Sequence, residues 1–247
     1  MTKLAFNFKN IITATLMTLS SITAHAFELD LSNRTDNDIQ QDATRKPAEI
    51  INFVGVKNSD KVLDLLAGGG YYTELLSRAV GADGEVALQI PKAYLSFVGK
   101  ELDQRLANKR LKNVNYILSE APNLKLNANH FDSAFLVLGY HDMFFKDDGW
   151  DFSADIVMPQ VLSALKVGGK LLIIDHSAAK NHGTKDSKTL HRIEASFVID
   201  DLEKRGFTLV KRSALLENHG DDHTASVFSP ELRRKTDRFV LLFERKK

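Results

Sequence analysis

Cysteine is absent from the 247 residues of the sequence, which excludes disulfide bonds, thiolate metal ligands and a cysteine nucleophile. A dominant charge is also lacking, since 33 Lys+Arg against 32 Asp+Glu leave a formal net charge of +1. The overall charge therefore attracts neither nucleic acid nor anionic lipid. What the chain does have is a 43% hydrophobic fraction, which can bury a sizeable core and excludes a wholly disordered protein.

The first 26 residues have the three parts of an export signal. Two lysines are their only charges, an apolar stretch covers 11–22, and Ala24-His25-Ala26 is a small-x-small cleavage site. A membrane anchor is the alternative, but the apolar stretch is too short for the roughly 20 residues that span a bilayer. We therefore expect a signal peptide over 1–26 and a single domain over 27–247. The domain is expected to be periplasmic or secreted and not inserted in the membrane, and the lack of cysteine favours a bacterial periplasm.

Beyond a polar lead-in expected over 27–44, short apolar runs alternate with segments of helical spacing. Strands are predicted over Lys61–Leu66, Glu85–Ile90, Val114–Leu118, Phe131–Leu138 and Lys170–Asp175. Helices are predicted from Pro47 and over 72–79, 95–106, 156–165 and 190–204. The last two predicted strands, 207–216 and 239–243, have no helical pattern between them, as in an antiparallel edge pair. The pattern predicts one doubly wound α/β domain whose parallel sheet is covered on both faces.

Three glycines follow the first strand, within VLDLLAGGGYYTELL at 62–76. Glycines at the junction of a strand and a helix let backbone amides approach a ligand, and the helix N-terminus favours an anionic group. A dinucleotide fingerprint would need a third glycine at Thr73, and a P-loop would need Gly-Lys after the turn, where Gly70 is followed by tyrosine. The pattern that remains is D-x-x-x-G-x-G, formed by Asp64, Gly68 and Gly70.

This stretch resembles motif I of the class I S-adenosylmethionine-dependent methyltransferases. Residues 131–134 are similar to the family's fourth strand, and Leu165-Lys166-Val167-Gly168-Gly169 is similar to its turn into strand five. Short motifs between 44 and 245 also resemble a bacterial group of exported "predicted methyltransferases". The resemblance implies a Rossmann-like methyltransferase fold with a mostly parallel seven-stranded sheet and an antiparallel edge hairpin. It also implies S-adenosylmethionine as the cofactor.

The resemblance implies a set of cofactor contacts around the glycine turn. The methionine part would be held by Asp64 and by the backbone amides of Ala67, Gly68, Gly69 and Gly70. The family often has another glycine where this chain has Leu66. It also places an acid for the ribose hydroxyls at the end of strand two, where this chain has Ile90, so that contact is expected to be missing or moved to Gln89.

Two further cofactor contacts are implied on neighbouring strands. Glu120 lies after strand three, where the family often has an acid near the adenine, although a solvated loop acid is the alternative. Residues 138–140 would form the pocket floor, with Tyr140 stacking on a ring or on the sulfonium.

Histidines beside acids follow strands four and five, at His141-Asp142 and Asp175-His176. Because these strands are parallel, both pairs should lie at the same sheet edge as the glycine turn. A neutral histidine can take a proton from a substrate, and a nearby acid can fix its tautomer. His141, Asp142 and His176 are therefore the catalytic candidates, with the pKa of His141 expected near the working pH. Ordinary surface histidines remain the alternative.

A third pair, His191 and Glu194, is expected to share a helix face. Histidine and carboxylate are also the ligands that a divalent metal would use here, but the leading hypothesis assigns no metal ligand.

The leading hypothesis is methyl transfer from S-adenosylmethionine to an unidentified small molecule. Two alternatives stay open: a catalytically degenerate member that binds a ligand, and a metal-dependent hydrolase that uses the His/Asp cluster. No nucleic-acid partner is expected, because the basic run at 233–235 has no interleaved aromatic residues.

Overall fold

The computed structural model describes residues 1–2 and 29–246. The predicted signal segment falls, except for its first two residues, outside the described residues, so the signal peptide and export stay predictions. In the described part of the chain, no helix is long and apolar enough to cross a membrane.

Seven strands form one sheet in the order β3-β2-β1-β4-β5-β7-β6. Their bounds are β1 Lys61–Leu65, β2 Glu85–Ile90, β3 Val114–Leu118, β4 Phe131–Val137, β5 Leu165–His176, β6 Phe207–Ser213 and β7 Arg238–Arg245. Strands β1 to β5 pair in parallel, and β7 runs antiparallel between β5 and β6. The predicted fold class, a mostly parallel seven-stranded sheet with an antiparallel edge pair, is confirmed.

Six α-helices accompany the sheet among the described residues. They are α1 Asp36–Arg45, α2 Pro47–Val54, α3 Tyr71–Val80, α4 Leu95–Leu106, α5 Ala154–Ala164 and α6 Ala195–Lys204. The first of them lies within the polar lead-in predicted over 27–44, where no helix was predicted. Its N-cap is Thr35, whose hydroxyl accepts a hydrogen bond from the amide of Asp38. Acidic side chains in the first turn interact favourably with the helix dipole.

The sixth helix corrects a prediction. It begins at Ala195 rather than near 190, so His191 lies in the preceding loop, with φ 54. Glu194 is the residue before the helix and accepts a hydrogen bond from the amide of Gly183. His191 and Glu194 therefore do not share a helix face.

Alternate side chains of the central strands pack on opposite faces of the sheet. Val62 of β1 packs in one apolar cluster with Leu75 of α3, and Leu63 packs in the other with Val157 of α5. Both faces are therefore covered, which explains why these strands are apolar throughout.

The helices after β1 and β4 lie on opposite faces, because α3 and α5 belong to different clusters. The two strands are neighbours in the sheet, with Leu65 opposite Leu136. A crevice opens beyond the carboxyl ends of such neighbouring strands, and this is where doubly wound folds bind ligands.

Candidate functional site

A cavity of about 650 Å³ lies at the carboxyl ends of β1 and β4. Its walls include Ala67, Gly68, Gly69, Leu138, His141 and His176, so it joins the glycine turn to the predicted histidines. The volume is in the range of small-molecule and cofactor sites.

The glycine turn presents Gly68 to this cavity. Gly68 has φ 57, and a Cβ built on it would have no heavy atom within 4 Å. Gly69 is different, because a Cβ there would overlap the carboxylate of Glu101 from α4. Leu66 also has a positive φ, 52°, at the position where the family often has glycine. The backbone is therefore left-handed at Leu66 and at Gly68. At Gly68 the space beside the backbone is empty and belongs to the cavity.

Arg105 of α4 holds the glycine turn from behind. Its Nε donates to the carbonyl of Gly69 at 2.5 Å. Its two Nη atoms contact the carboxylates of Asp38 on α1, at 2.9 and 3.0 Å, and Glu74 on α3, at 2.6 Å. All three side chains are at most 3% exposed. Three helices are thereby tied to the turn by buried charges.

Asp64 lies inside the fold rather than on the cavity wall. It is 2% exposed, and its Oδ2 accepts a hydrogen bond from the hydroxyl of Thr73 at 2.6 Å. Burial raises the pKa of Asp64 to about 7, although hydrogen bonds from Thr73 lower it in part. The predicted contact of Asp64 with the cofactor stays a prediction.

Gln89 lies inside the fold and not on the cavity wall, so its predicted contact with the ribose stays a prediction. Its side chain is fully buried, its Oε1 accepts from the amide of Leu66 at 3.2 Å, and its Nε2 donates to the carbonyl of Ser119 at 3.0 Å. Both ends of the amide thus have partners inside the protein, and the Oε1 end holds Leu66, the left-handed residue of the turn. Ile90 is buried as well, against Leu102 of α4.

Glu120 and Tyr140 also lie outside this cavity. Glu120 is exposed and accepts a hydrogen bond from the amide of Lys92 at 2.9 Å. Tyr140 is buried, and its hydroxyl donates to Asp201 at 2.5 Å. Leu138, two residues earlier, does line the cavity, at φ 60. Glu120 and Tyr140 both follow the strand ends from which they were predicted, but neither lines the cavity, so their cofactor contacts stay predictions.

His141 and Asp142 line the cavity together and meet a third residue, His191. The Nε2 of His141 lies 3.1 Å from Oδ1 of Asp142 and 3.1 Å from Nδ1 of His191. On the other side of the ring, Nδ1 of His141 lies 2.8 Å from Oδ1 of Asp175. Oδ2 of Asp175 accepts from the backbone amide of His141 at 2.9 Å. The orientation of the His141 imidazole is therefore fixed.

The predicted pKa of His141 was wrong for the ligand-free protein. Burial lowers its pKa, but the charge of Asp175 and the hydrogen bonds with Asp142 and Asp175 outweigh burial and raise it to about 10. At neutral pH the ring is then an imidazolium, which donates hydrogen bonds and does not act as a base. In this state His141 can orient an acceptor but cannot remove its proton.

His176 lies on the same wall but is separate from that group. Its Nδ1 lies 2.7 Å from the hydroxyl of Thr236, and its ring centre is 6.2 Å from that of His141. Burial and the positive charges of His141 and Arg238 keep its pKa well below the ordinary value. It is neutral and lines the cavity, so the catalytic assignment stays a prediction.

Several residues that line or support the cavity were not assigned as site residues from the sequence, among them Arg45, Glu101, Arg105, Asp175 and His191. Asp175 was detectable, since it ends an apolar strand, but the sequence does not tell which of Asp175 and His176 faces His141. His191 was predicted to pair with Glu194, whereas it lies beside His141 and Asp142. Arg45 and Glu101 lie on helices, where charged residues usually face solvent, so no local signal marks them.

The chain matches the model of the ubiE/COQ5 methyltransferase family over residues 36–194, which is more than half of its length. It belongs to this family. A curated relative is the ubiquinone/menaquinone biosynthesis C-methyltransferase UbiE of Pseudomonas paraeruginosa, 32% identical over 129 residues. That alignment covers 51% of this chain and 46% of the relative, so the chain spans about half the length of the curated relatives it matches.

Solved structures share the fold at low sequence identity. A SAM-dependent methyltransferase from Aquifex aeolicus superposes with a TM-score of 0.60 at 19% identity, covering 83% of this chain and 92% of that one. Aeropyrum pernix fibrillarin, which was solved with natively bound S-adenosyl-L-methionine, has a TM-score of 0.53 at 17% identity over 82% of this chain and 76% of that one. The fold and the family together support S-adenosylmethionine as the cofactor.

Proposed function

We propose that this protein is an S-adenosylmethionine-dependent methyltransferase that acts on a small molecule. The observation that carries the proposal is the shared cavity, in which the open face of Gly68 and the His141-Asp142 pair line the same space. One wall offers backbone to a cofactor, and the other offers polar side chains to an acceptor.

Arg45 suits the carboxylate of the cofactor's amino acid part. It lines the cavity at the end of α1, and its guanidinium carbon lies 4.6 Å from the ring centre of Tyr71. Among the described residues, no carboxylate oxygen lies within 4.0 Å of its guanidinium. A cation without an ionic partner, next to a turn with open backbone, fits an anionic ligand.

Glu101 suits the ribose hydroxyls, since Ile90 cannot accept a hydrogen bond. Glu101 and Asp142 are the only acids on the wall of this cavity within the described part of the chain. The Glu101 carboxylate lies against Gly69 and is held by Arg105 at 3.0 Å. The acid that the family often places on strand two would thus come from α4 in this chain.

When bound, the cofactor supplies an electrophilic methyl group. Since transfer of this group is an in-line displacement, the chain's contribution is to position the acceptor and exclude water. In the metal-free protein, His141, held by Asp175, can donate a hydrogen bond from Nε2 to an acceptor oxygen or nitrogen on the cavity side. Tyr94 and Phe97 of the β2–α4 region and Phe228 add aromatic surface to the same walls. The cavity therefore suits a small, partly apolar acceptor with a polar group.

Replacing Gly68 with valine tests this proposal at the cofactor. A branched side chain there would project into the cavity, so we expect the affinity for S-adenosylmethionine and S-adenosylhomocysteine to fall about 100-fold or more (~2.7 kcal/mol). Isothermal titration calorimetry of the purified protein measures the affinity for each of the two ligands.

Gly168→Val is the matched control. Gly168 has φ 77, and a Cβ there would also have no atom within 4 Å. It lies near the amino end of β5, at the opposite end of the parallel strands from the glycine turn. Both variants place a branched residue in the left-handed region, so their cost in stability is similar, about 1–2 kcal/mol. Equal affinity in the two variants, or no binding by the unaltered protein, would refute the proposed use of the cavity.

We also propose export, with cleavage after Ala26, on the basis of the charged start, short apolar stretch and Ala24-His25-Ala26 site. Expression in a bacterium and intact-mass measurement of the periplasmic fraction should then give a protein that begins at Phe27. Recovery only of protein that retains residues 1–26, or only from the cytoplasm, would contradict export.

A further inference from the structure

We propose that His141, Asp142 and His191 together bind a divalent transition-metal ion on the wall of the cavity. The three candidate ligand atoms are Nε2 of His141, Oδ1 of Asp142 and Nδ1 of His191. They come from the turn after β4 and from the loop before α6, so folding brings them together. Binding of the ion displaces to water the proton that Nε2 of His141 carries in the metal-free protein.

The spacing of these atoms suits a common ion. Metal bonds to imidazole nitrogen and carboxylate oxygen are about 2.0–2.2 Å long, so neighbouring ligands of one ion lie about 3.0–3.5 Å apart. Here the three separations are 3.1 Å for His141–Asp142, 3.1 Å for His141–His191 and 3.6 Å for His191–Asp142. All three agree with one ion within a few tenths of an ångström.

The candidate ligands are oriented by hydrogen bonds with neighbouring groups, as metal ligands in proteins usually are. A ligating histidine usually donates its other ring nitrogen to a carboxylate, and Nδ1 of His141 has Asp175 at 2.8 Å. Asp175 is fully buried and also accepts from the His141 amide, so it cannot swing away. The Asp142 segment is fixed as well, because the Trp150 indole donates to its carbonyl at 2.6 Å.

His191 is kept in place by an unusual backbone. Its φ of 54 is in the left-handed region, which costs a residue with a side chain on the order of 1–2 kcal/mol. Its ring packs against Phe228, with ring centres 4.8 Å apart, and near Phe145, at 6.0 Å. Such strain is retained where the surrounding structure holds it, and it is common at ligand sites.

Two imidazoles and one carboxylate select a class of ion. Without sulfur ligands, this set favours ions such as zinc, iron(II) or cobalt(II) over magnesium, which prefers oxygen. Three protein ligands leave coordination positions for water or substrate.

The role of the ion rests on the proposed function. An ion at this wall would hold an acceptor through a hydroxyl or enol oxygen and lower the pKa of that group, so that its proton leaves to water. The acceptor class inferred is therefore a small molecule that presents such an oxygen.

Metal titration of the purified, tag-free protein tests the site itself. After treatment with a chelator and dialysis, we expect calorimetry to show one equivalent of Zn²⁺ bound. Added Co²⁺ should give a visible absorption band that Zn²⁺ abolishes.

The variants assign the ligands. His191→Ala removes a direct ligand and should weaken Zn²⁺ binding more than about 100-fold, and Asp175→Asn should weaken it about 10–100-fold. His191→Asn serves in the same way if the alanine variant does not fold. His182→Ala is the matched control, because His182 also contacts an acid, Asp186 at 2.6 Å, but is well exposed and lies outside the cavity wall. It should bind Zn²⁺ like the unaltered protein.

Three results would overturn the proposal. They are the absence of saturable Zn²⁺ and Co²⁺ binding, equal binding by the unaltered and His191 variants, and the same saturation with Mg²⁺ alone. The first would mean that the three residues form only a hydrogen-bonded network. Failure of this site is distinguishable from failure of the proposed function, because cofactor binding is measured separately with the Gly68 and Gly168 variants.

Discussion

Replacing Arg105 with methionine is expected to lower the free energy of unfolding by about 3–5 kcal/mol. The substitution would leave the carboxylates of Asp38 and Glu74 without their central partner, and each of these side chains is only 1% exposed. Glu74 would keep its contacts with Arg78 and Arg110, but Asp38 would lose its ion-pair partner. A buried charge without a partner cannot recover the solvation lost on folding. Urea denaturation with an unchanged m value measures the loss.

Arg110→Met is the control for this prediction. Arg110 contacts the same carboxylate, Glu74, at 2.6 Å, but its side chain is 36% exposed. A solvent-screened pair contributes little, so this variant should lose at most about 1 kcal/mol. Equal losses in the two variants would show that burial of the Arg105 network does not decide its importance.

The Arg105→Met substitution is also expected to loosen the glycine turn. Arg105 donates to the carbonyl of Gly69, and it also holds Glu101 against that residue. The buried network therefore links stability to the shape of the cavity wall. If the turn binds the cofactor as proposed, this link gives the buried cation behind it a role in shaping the binding site.

The sheet could be predicted from the sequence because its signals are local. Strand β2, for example, was predicted as 85–90 and is observed as Glu85–Ile90. An apolar run bounded by turn residues is sufficient where a strand is buried on both faces. Helix α1 was missed for the opposite reason. It buries Asp38 and Gln41 rather than an apolar stripe, so its sequence has no hydrophobic period to detect.

The site could be predicted only to the level of strand ends. The rule that ligands bind beyond the carboxyl ends of parallel strands located Gly68, His141 and His176. It does not give the direction of a side chain. Gln89 and Tyr140 are at the expected strand ends, but each turns inward to a buried hydrogen-bond partner. His191 depends on a left-handed backbone that its sequence does not signal.

Asp64 was identified from motif I, but the sequence did not predict that its carboxyl group would be buried. Its carboxyl group is buried behind the turn, and burial raises its pKa to about 7. In the unfolded chain the pKa is expected near the ordinary 3.8. Between these two values the folded protein keeps a proton that the unfolded chain has lost.

The stability of the protein is therefore expected to fall, through Asp64, as the pH rises from about 4 to about 7. The folded state binds more protons in this window, so the slope of the unfolding free energy against pH is negative, and the total loss is about 4 kcal/mol. Above pH 7 this contribution stays constant.

Asp64→Asn should remove this loss, because the neutral amide has the same charge in both states. The unfolding free energies of the variant and the unaltered protein are measured without cofactor at pH 4 and at pH 8. Relative to the unaltered protein, the variant should be about 4 kcal/mol more stable at pH 8 than it is at pH 4. Thr73→Val is the companion variant. It removes a hydrogen bond that lowers the pKa of Asp64, so the fall in stability should extend to higher pH. Parallel pH curves for the unaltered protein and Asp64→Asn would show that the buried carboxyl group titrates as it does in the unfolded chain.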